Sequence, residues 1–98
     1  AMIRKMIAAR DAGEAVALWG DGTPTREFLY VEDCARAIAL AAERYDGAEP
    51  VNLGANWEIS MKDLAATIAA AVGYEGEIIW DTSKPNLARS PYALCYCC

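Results

Sequence analysis

The stretch WEISMKDLAATIAAAVGYEGEIIW, residues 57–80, decides the fold because it has the pattern of a strand, a helix and a strand in direct succession. Its first three residues are β-prone and run into Ser60, which forms a spacing like that of a capping box with Asp63. The pattern predicts a helix over residues 61–72, followed by Gly73 as the C′ residue and a last strand at residues 77–80. The apolar stripe of this helix consists of Leu64, Ile68 and Val72.

Outward from this stretch, the remaining sequence alternates between helical and strand-like periodicity. Helices are predicted at residues 1–12 and at about 32–45, and strands at residues 16–19, 27–31 and 51–54. Since no capping residue precedes Ala1, we expect the first helix to begin upstream of it. The order α-β-β-α-β-β-α-β, with no visible internal repeat and no low-complexity linker, predicts an α/β fold in one small domain.

Composition excludes several classes of function. The chain has 98 residues, a net charge of −5 and no histidine. The acidic balance argues against nucleic acid as a partner, and the missing histidine excludes Ser-His-Asp catalysis and histidine-bearing zinc sites. No apolar stretch is long enough to cross a membrane, and the start of the chain does not have the pattern of a signal peptide, so a cytoplasmic location is expected.

Three stretches carry a resemblance to a known family. They are WGDGTPTREFLYVED at residues 19–33, VNLG with EISMKDL at residues 51–54 and 58–64, and GYEGEIIWDTSKP at residues 73–85. Together they resemble the C-terminal, substrate-binding part of the extended short-chain dehydrogenase/reductases that act on nucleotide sugars. The WDTSKP segment narrows the resemblance to the GDP-L-fucose synthase-like group. The resemblance covers residues 1–86, which we interpret as a substrate-binding fragment.

The resemblance implies an activity whose chemical half is not in this sequence. Full-length members bind NADP in an N-terminal Rossmann domain and catalyse epimerisation and reduction of a GDP-4-keto-6-deoxy-sugar with a Ser/Thr and a Tyr-x-x-x-Lys motif. The 98 residues contain no Tyr-x-x-x-Lys, and Gly20-x-Gly22 lies between two predicted strands rather than before a helix. We therefore expect no cofactor in this chain, no catalytic residue, and no activity of the chain alone.

Four positions correspond, through the resemblance, to substrate contacts. Lys5 matches a basic contact, Trp19 the wall of the nucleotide pocket, and Arg26 the arginine on the diphosphate. Asn86 matches a position that is usually Asp, which is a departure from the family pattern. Structural alternatives remain for three of them: Lys5 on the polar face of the first helix, Trp19 in the core or an interface, and Arg26 as a solvated turn residue.

The other polar and thiol residues predict no catalytic or metal site. Asp21, Glu32 and Asp33 are interpreted as turn and cap residues, and Cys34 as a buried thiol on the stripe of the second helix. Residues 87–98 leave the family pattern, and we expect them to be a disordered, cysteine-rich tail. For Cys95, Cys97 and Cys98, a soft-metal site and a lipidation signal are weaker alternatives than translation past a frameshift or into flanking sequence.

These observations predict two kinds of partner. The first is weak binding of GDP or a GDP-sugar, because half of a pocket encloses a ligand poorly. The second is another copy of the chain. The resemblance implies that this segment packs on the cofactor domain, and self-association into a homodimer or a higher oligomer would cover the apolar face left without that domain.

Overall fold

A computed structural model of the chain describes residues 2–86, which divide into two compact units. The first unit comprises residues 2–26 together with 59–86, and the second comprises residues 27–58. The elements in chain order are α1 (Met2–Ala12), β1 (Val16–Trp19), β2 (Thr25–Arg26), α2 (Val31–Arg44), β3 (Ile59–Ser60), α3 (Met61–Val72) and β4 (Ile78–Asp81). The α/β class is confirmed, with one strand fewer than the sequence predicts.

The first unit is organised by parallel pairing of β1 with β4. The register aligns Val16 with Ile78 and Trp19 with Asp81, so both strands end at the same edge. In a second pair, which is antiparallel, Thr25 of β2 lies opposite Ser60 of β3, and Arg26 lies opposite Ile59. Because parallel strands need a long connection, the β1–β4 pairing joins parts of the chain that are far apart in sequence.

The core of the first unit lies where α1 and α3 pack on β1. Met6 of α1 is fully buried, and Val16 and Leu18 of β1 are buried on the inner face of the strand. Helix α3 contributes Ala65 and Ala69, whereas its predicted stripe of Leu64, Ile68 and Val72 is only half-buried. The buried face is thus shifted by one residue from the large side chains, because the small side chain of alanine permits close approach of α1 and β1.

Helix α3 begins and ends as its sequence predicts. The Ser60 hydroxyl oxygen accepts a hydrogen bond from Asp63 N (3.0 Å) and donates one to the Asp63 carboxylate (2.6 Å). Gly73 terminates the helix in the left-handed conformation, at φ 69°, which glycine adopts without strain. Beyond it, Tyr74 N donates to Ala69 O (2.8 Å), so the last carbonyls are satisfied locally.

In the second unit, the predicted strands at residues 27–31 and 51–54 are wrong. Among the described residues, 51–54 pair with no strand, and an extended segment becomes a strand only through ladder hydrogen bonds. Strand β2 lies two residues before the first prediction, and β3 begins at Ile59 rather than at Trp57. Within this unit, the Glu27 carboxylate accepts a hydrogen bond from Asn56 N (3.1 Å).

Helix α2 begins and ends one residue before its predicted bounds, and it lacks the predicted burial. None of its residues is buried, although the stripe is apolar. Cys34, Ala37 and Ala41 are half-buried, and Ile38 is 55% exposed. The prediction that Cys34 is buried is therefore wrong, because the rest of the described residues cover only part of this stripe.

The described residues contain neither a membrane-spanning helix nor a metal-binding cluster of side chains. No helix within residues 2–86 is long and apolar enough to cross a membrane. The same residues contain no group of three or more cysteine and acidic side chains that could hold a metal ion. The predicted tail, residues 87–98 with Cys95, Cys97 and Cys98, lies outside the described residues.

Tyr74 joins the turn after α1 to the turn after α3. Its side chain is only 6% exposed, and its hydroxyl lies within hydrogen-bond distance of Glu14 O (2.9 Å) and Glu77 O (2.8 Å). The single hydroxyl proton serves one carbonyl at a time, and Glu77 O also accepts Val16 N (3.0 Å), so Tyr74→Phe should lower the free energy of unfolding by about 1 kcal/mol, the net contribution of one buried hydrogen bond. Urea unfolding followed by circular dichroism measures this loss.

The matched control for Tyr74→Phe is Tyr45→Phe. The Tyr45 hydroxyl donates to Glu49 O (2.6 Å), but the side chain is 45% exposed, so water can replace the bond. We expect a change within about 0.5 kcal/mol there. Equal effects of the two substitutions would contradict the role given to Tyr74.

Candidate functional site

The candidate site lies in the first unit, at the edge where β1 and β4 both end. Trp19 is the last residue of β1, and its side chain is 59% exposed. The turn of residues 20–24 follows it and leads into β2, which contains Arg26. In α/β proteins, ligands commonly bind at the carboxyl ends of parallel strands, where loops supply the contacts. Trp19 and Arg26 therefore flank one turn at a favourable edge.

Backbone hydrogen bonds from two directions hold this turn. Gly20 N donates to Asp81 O (2.9 Å) across the end of the sheet. From the other side, the first amides of α3 bind its carbonyls, because Lys62 N donates to Gly22 O and Met61 N to Pro24 O, both at 2.9 Å. The N-terminal amides of a helix have no partner inside the helix, so the turn satisfies them.

Each of the two parallel strands has an aspartate near its end that closes a local turn: Asp81 is the last residue of β4, and Asp21 lies two residues after β1. Asp21 Oδ1 accepts bonds from Thr23 N (2.9 Å) and Thr23 Oγ1 (2.7 Å). Asp81 Oδ1 likewise accepts bonds from Ser83 N (3.1 Å) and Ser83 Oγ (2.5 Å). The Asp-x-Thr and Asp-x-Ser sequences therefore build the same turn twice, side by side.

Both aspartates are held in the ionised form. The Thr23 hydroxyl and amide lower the pKa of Asp21 below its ordinary value, with a smaller contribution from Asn86. The Ser83 hydroxyl and amide lower the pKa of Asp81, and the charge of Lys84 acts in the same direction. These carboxylates are acceptors that fix turns, which agrees with the turn role predicted for Asp21 and makes them poor general acids at neutral pH.

Asn86 lies across the turn that follows β1. Its Oδ1 accepts a hydrogen bond from Asp21 N (3.0 Å), although the two residues are 65 apart in sequence. Gly20 has φ 84°, and a Cβ atom there would overlap the Asn86 side-chain oxygen, so the backbone conformation and the available space both favour glycine. The structure thus brings Asn86 to the same edge as Trp19.

Arg26 and Lys5 take different positions around this edge. Arg26 Nη1 donates to Thr25 O (3.0 Å), which keeps the guanidinium beside β2. Lys5 Nζ donates to Ala17 O (3.2 Å), so the first helix brings its ammonium group to β1, two residues before Trp19. Trp19 and Arg26 flank the turn and Asn86 binds it, whereas Lys5 donates to the strand that precedes it.

Sequence reasoning missed two contributors to the site. The Asp81–Ser83 turn forms part of the edge. The similarity between the stretches WGDGTP and WDTSKP is the feature of the sequence that could have predicted it. Lys62 binds the turn through its backbone, and a Cβ at Gly22 would lie 3.1 Å from the Lys62 Cβ and 2.9 Å from the Trp80 ring. A contact made by a backbone amide leaves no mark on residue type, so the sequence carries no signal for it.

The described residues do not fit the phosphates of a dinucleotide cofactor at this glycine turn. Such a cofactor needs a glycine loop that opens onto a helix N-terminus. Here Gly20 and Gly22 lead into β2, and the side chains of Asn86 and Trp80 lie against the two glycines. The arrangement offers an indole surface, a guanidinium and an ammonium group, which is chemistry for binding an anionic aromatic ligand.

Comparisons with known proteins find relatives that match most of this chain. The chain is 41% identical over 87 residues to "Probable GDP-L-fucose synthase 1" of Oryza sativa subsp. japonica and 44% identical over 88 residues to a GDP-L-fucose synthase of Sinorhizobium fredii. The matches cover 88% of this chain but only 26% and 28% of those relatives. The chain therefore spans about a quarter of the length of the curated relatives it matches.

A solved structure and a family model extend the likeness. The structure of a GDP-L-fucose synthetase from Naegleria fowleri bound to NADP superposes with a TM-score of 0.79 at 32% identity, covering 87% of this chain and 27% of that one. The model of the NAD dependent epimerase/dehydratase family matches residues 1–54, which is more than half of the chain. The chain belongs to the NAD dependent epimerase/dehydratase family.

Proposed function

We propose that residues 1–86 form a substrate-binding fragment of a GDP-L-fucose synthase-like, NADP-dependent epimerase-reductase, and that they bind GDP or the GDP part of a GDP-sugar. The observation that carries the proposal is the exposed Trp19 and the Arg26 guanidinium at the two ends of one turn, held at the carboxyl edge of β1 and β4. The names of the relatives supply the ligand class.

The proposed contacts follow from the chemistry of the side chains. The Trp19 indole offers a flat apolar surface to the base or the ribose, and Arg26 a planar, permanently charged group to the diphosphate. Lys5 adds a positive charge near β1, and Asn86 belongs to the same edge. The net charge of −5 opposes an anionic ligand, so these local cations are needed and the affinity should be weak.

Titration with GDP tests the binding proposal. We expect saturable quenching of tryptophan fluorescence with a Kd of about 1 mM, which corresponds to about −4 kcal/mol. Arg26→Ala should abolish the signal. Arg26→Lys should retain part of it, because lysine keeps the positive charge but lacks the planar set of guanidinium donors. The matched control is Arg44→Ala, which removes an exposed arginine from the last turn of α2.

The identity of the reporting tryptophan sharpens this test. Trp19→Phe should remove most of the quenching, while Trp57→Phe should keep it, although Trp57 is 54% exposed and thus comparably accessible. No saturable change up to millimolar GDP, or equal loss in the Arg26→Ala and Arg44→Ala variants, would contradict the binding proposal.

The second expectation concerns catalysis. The 98-residue sequence contains no Tyr-x-x-x-Lys motif, and its glycine turn does not fit a cofactor phosphate. The purified chain should therefore show no oxidation of NADPH above the buffer rate in the presence of a GDP-4-keto-6-deoxy-hexose. A full-length relative is the positive control, and turnover by the chain alone would overturn the proposal that it is inactive by itself.

A specific observation favours a second candidate function, a non-catalytic module that self-associates. The apolar stripe of α2 is open: Val31 is 48% exposed, and Ile38 and Tyr45 are similarly accessible. A surface of this kind favours contact with another apolar surface, and a second copy of the chain presents the same stripe. We propose that α2 forms the centre of a homodimer with two-fold symmetry.

Light scattering in reducing buffer tests self-association. The chain should be dimeric at tens of micromolar, and Ile38→Glu should shift it to monomer because a charge would be buried at the centre of the interface. Ala39→Glu is the matched control, since it introduces the same charge at an exposed position about 100° around the helix from Ile38, outside the apolar stripe, and should leave the dimer intact. A monomeric wild-type chain at these concentrations would refute the proposed interface.

A further inference from the structure

The strongest unassigned feature of the first unit is the bond between the Asn86 side chain and the turn after β1. Asn86 Oδ1 accepts the Asp21 amide at 3.0 Å, and its carboxamide occupies the space beside Gly20 that any other residue would fill. The side chain is therefore already engaged with the protein backbone. A group held in this way is better suited to fixing a turn than to meeting a ligand.

The turn needs such a restraint because of its own sequence. Asp21 lies between Gly20 at φ 84° and Gly22 at φ 77°, both in the left-handed region that glycine enters freely. Glycines on both sides of one residue give the backbone many alternative conformations. Without a restraint, the Gly20–Asp21 peptide would sample several of them.

The backbone hydrogen bonds of the turn do not involve the Asp21 amide, which binds Asn86. Gly20 N is bound by Asp81 O, while Gly22 O and Pro24 O are bound by the amides of α3. The amide of Asp21 points away from these partners and meets Asn86. The front half of the turn, directly after Trp19, therefore depends on a side chain from the loop after β4.

We propose that Asn86 is a positioning residue for the ligand site: it fixes the Gly20–Asp21 peptide, and through it the orientation of the Trp19 indole, rather than contacting the ligand. This rests on the proposed function, in which Trp19 forms the wall of the GDP site. The essential property of Asn86 is its acceptor oxygen for Asp21 N. A carboxylate at position 86 retains that oxygen, whereas a methyl group does not.

Nuclear magnetic resonance of the full chain separates this proposal from the proposed function. Asn86→Ala should shift the Asp21 amide resonance and speed its hydrogen exchange at least tenfold. It should also shift the Trp19 indole N–H resonance and leave that of Trp57 unchanged. These signals need no ligand, so they test the positioning role even if GDP does not bind. Unchanged Asp21 and Trp19 resonances would overturn it.

Binding by two variants then distinguishes positioning from direct contact. At physiological salt, Asn86→Ala should weaken GDP binding about fivefold, the effect of one hydrogen bond. Asn86→Asp is introduced together with Asp21→Asn, because the Asn86 side chain also contacts the Asp21 carboxylate and two carboxylates there would repel each other. The double variant should keep the residue-21 amide protected from exchange and bind within about threefold of Asp21→Asn alone, because the acceptor oxygen remains and salt screens the added charge from a ligand that it does not touch. If Asn86 touched the diphosphate directly, Asn86→Asp would repel it, and a loss above tenfold would refute the positioning role.

Discussion

Parallel pairing of β1 with β4 is the constraint on which the rest of the first unit depends. It aligns Trp19 with Asp81, and both strands end at one edge as a result. The pairing also orients the inner face of β1, where Val16 and Leu18 meet α1 and α3. The turns after the two strands also contact each other, so the β1–β4 pairing positions both the core and the candidate site.

The parts of the fold that sequence predicted well are those determined by nearby residues. Helix α3 was predicted with its bounds, its Ser60 cap and its terminating Gly73, because capping and periodicity act within a few positions. Strands at residues 27–31 and 51–54 were predicted from the same kind of local evidence and are wrong. A strand requires a partner, and β-propensity alone does not say whether the chain supplies one.

The candidate site divides in the same manner. Resemblance identified the residues Trp19 and Arg26, and the structure shows that one turn connects them. That Asn86 binds the backbone of this turn was not predictable, because its partner is the amide of a residue 65 positions away. The matching turns at Asp21 and Asp81 were not predicted either. The two stretches resemble each other over only a few residues, which is too short to be recognised as an internal repeat.

The antiparallel pair of β2 and β3 has a consequence for how this architecture can vary. Arg26 and Ile59 lie opposite each other, so the chain leaves the first unit and re-enters it at adjacent points. The intervening residues 27–58 are thus an excursion with its ends joined, and closing a longer excursion adds only about 0.6 kcal/mol for each doubling of its length. Insertions and deletions in this segment can therefore accumulate during divergence while the α1–β1–α3–β4 framework stays unchanged.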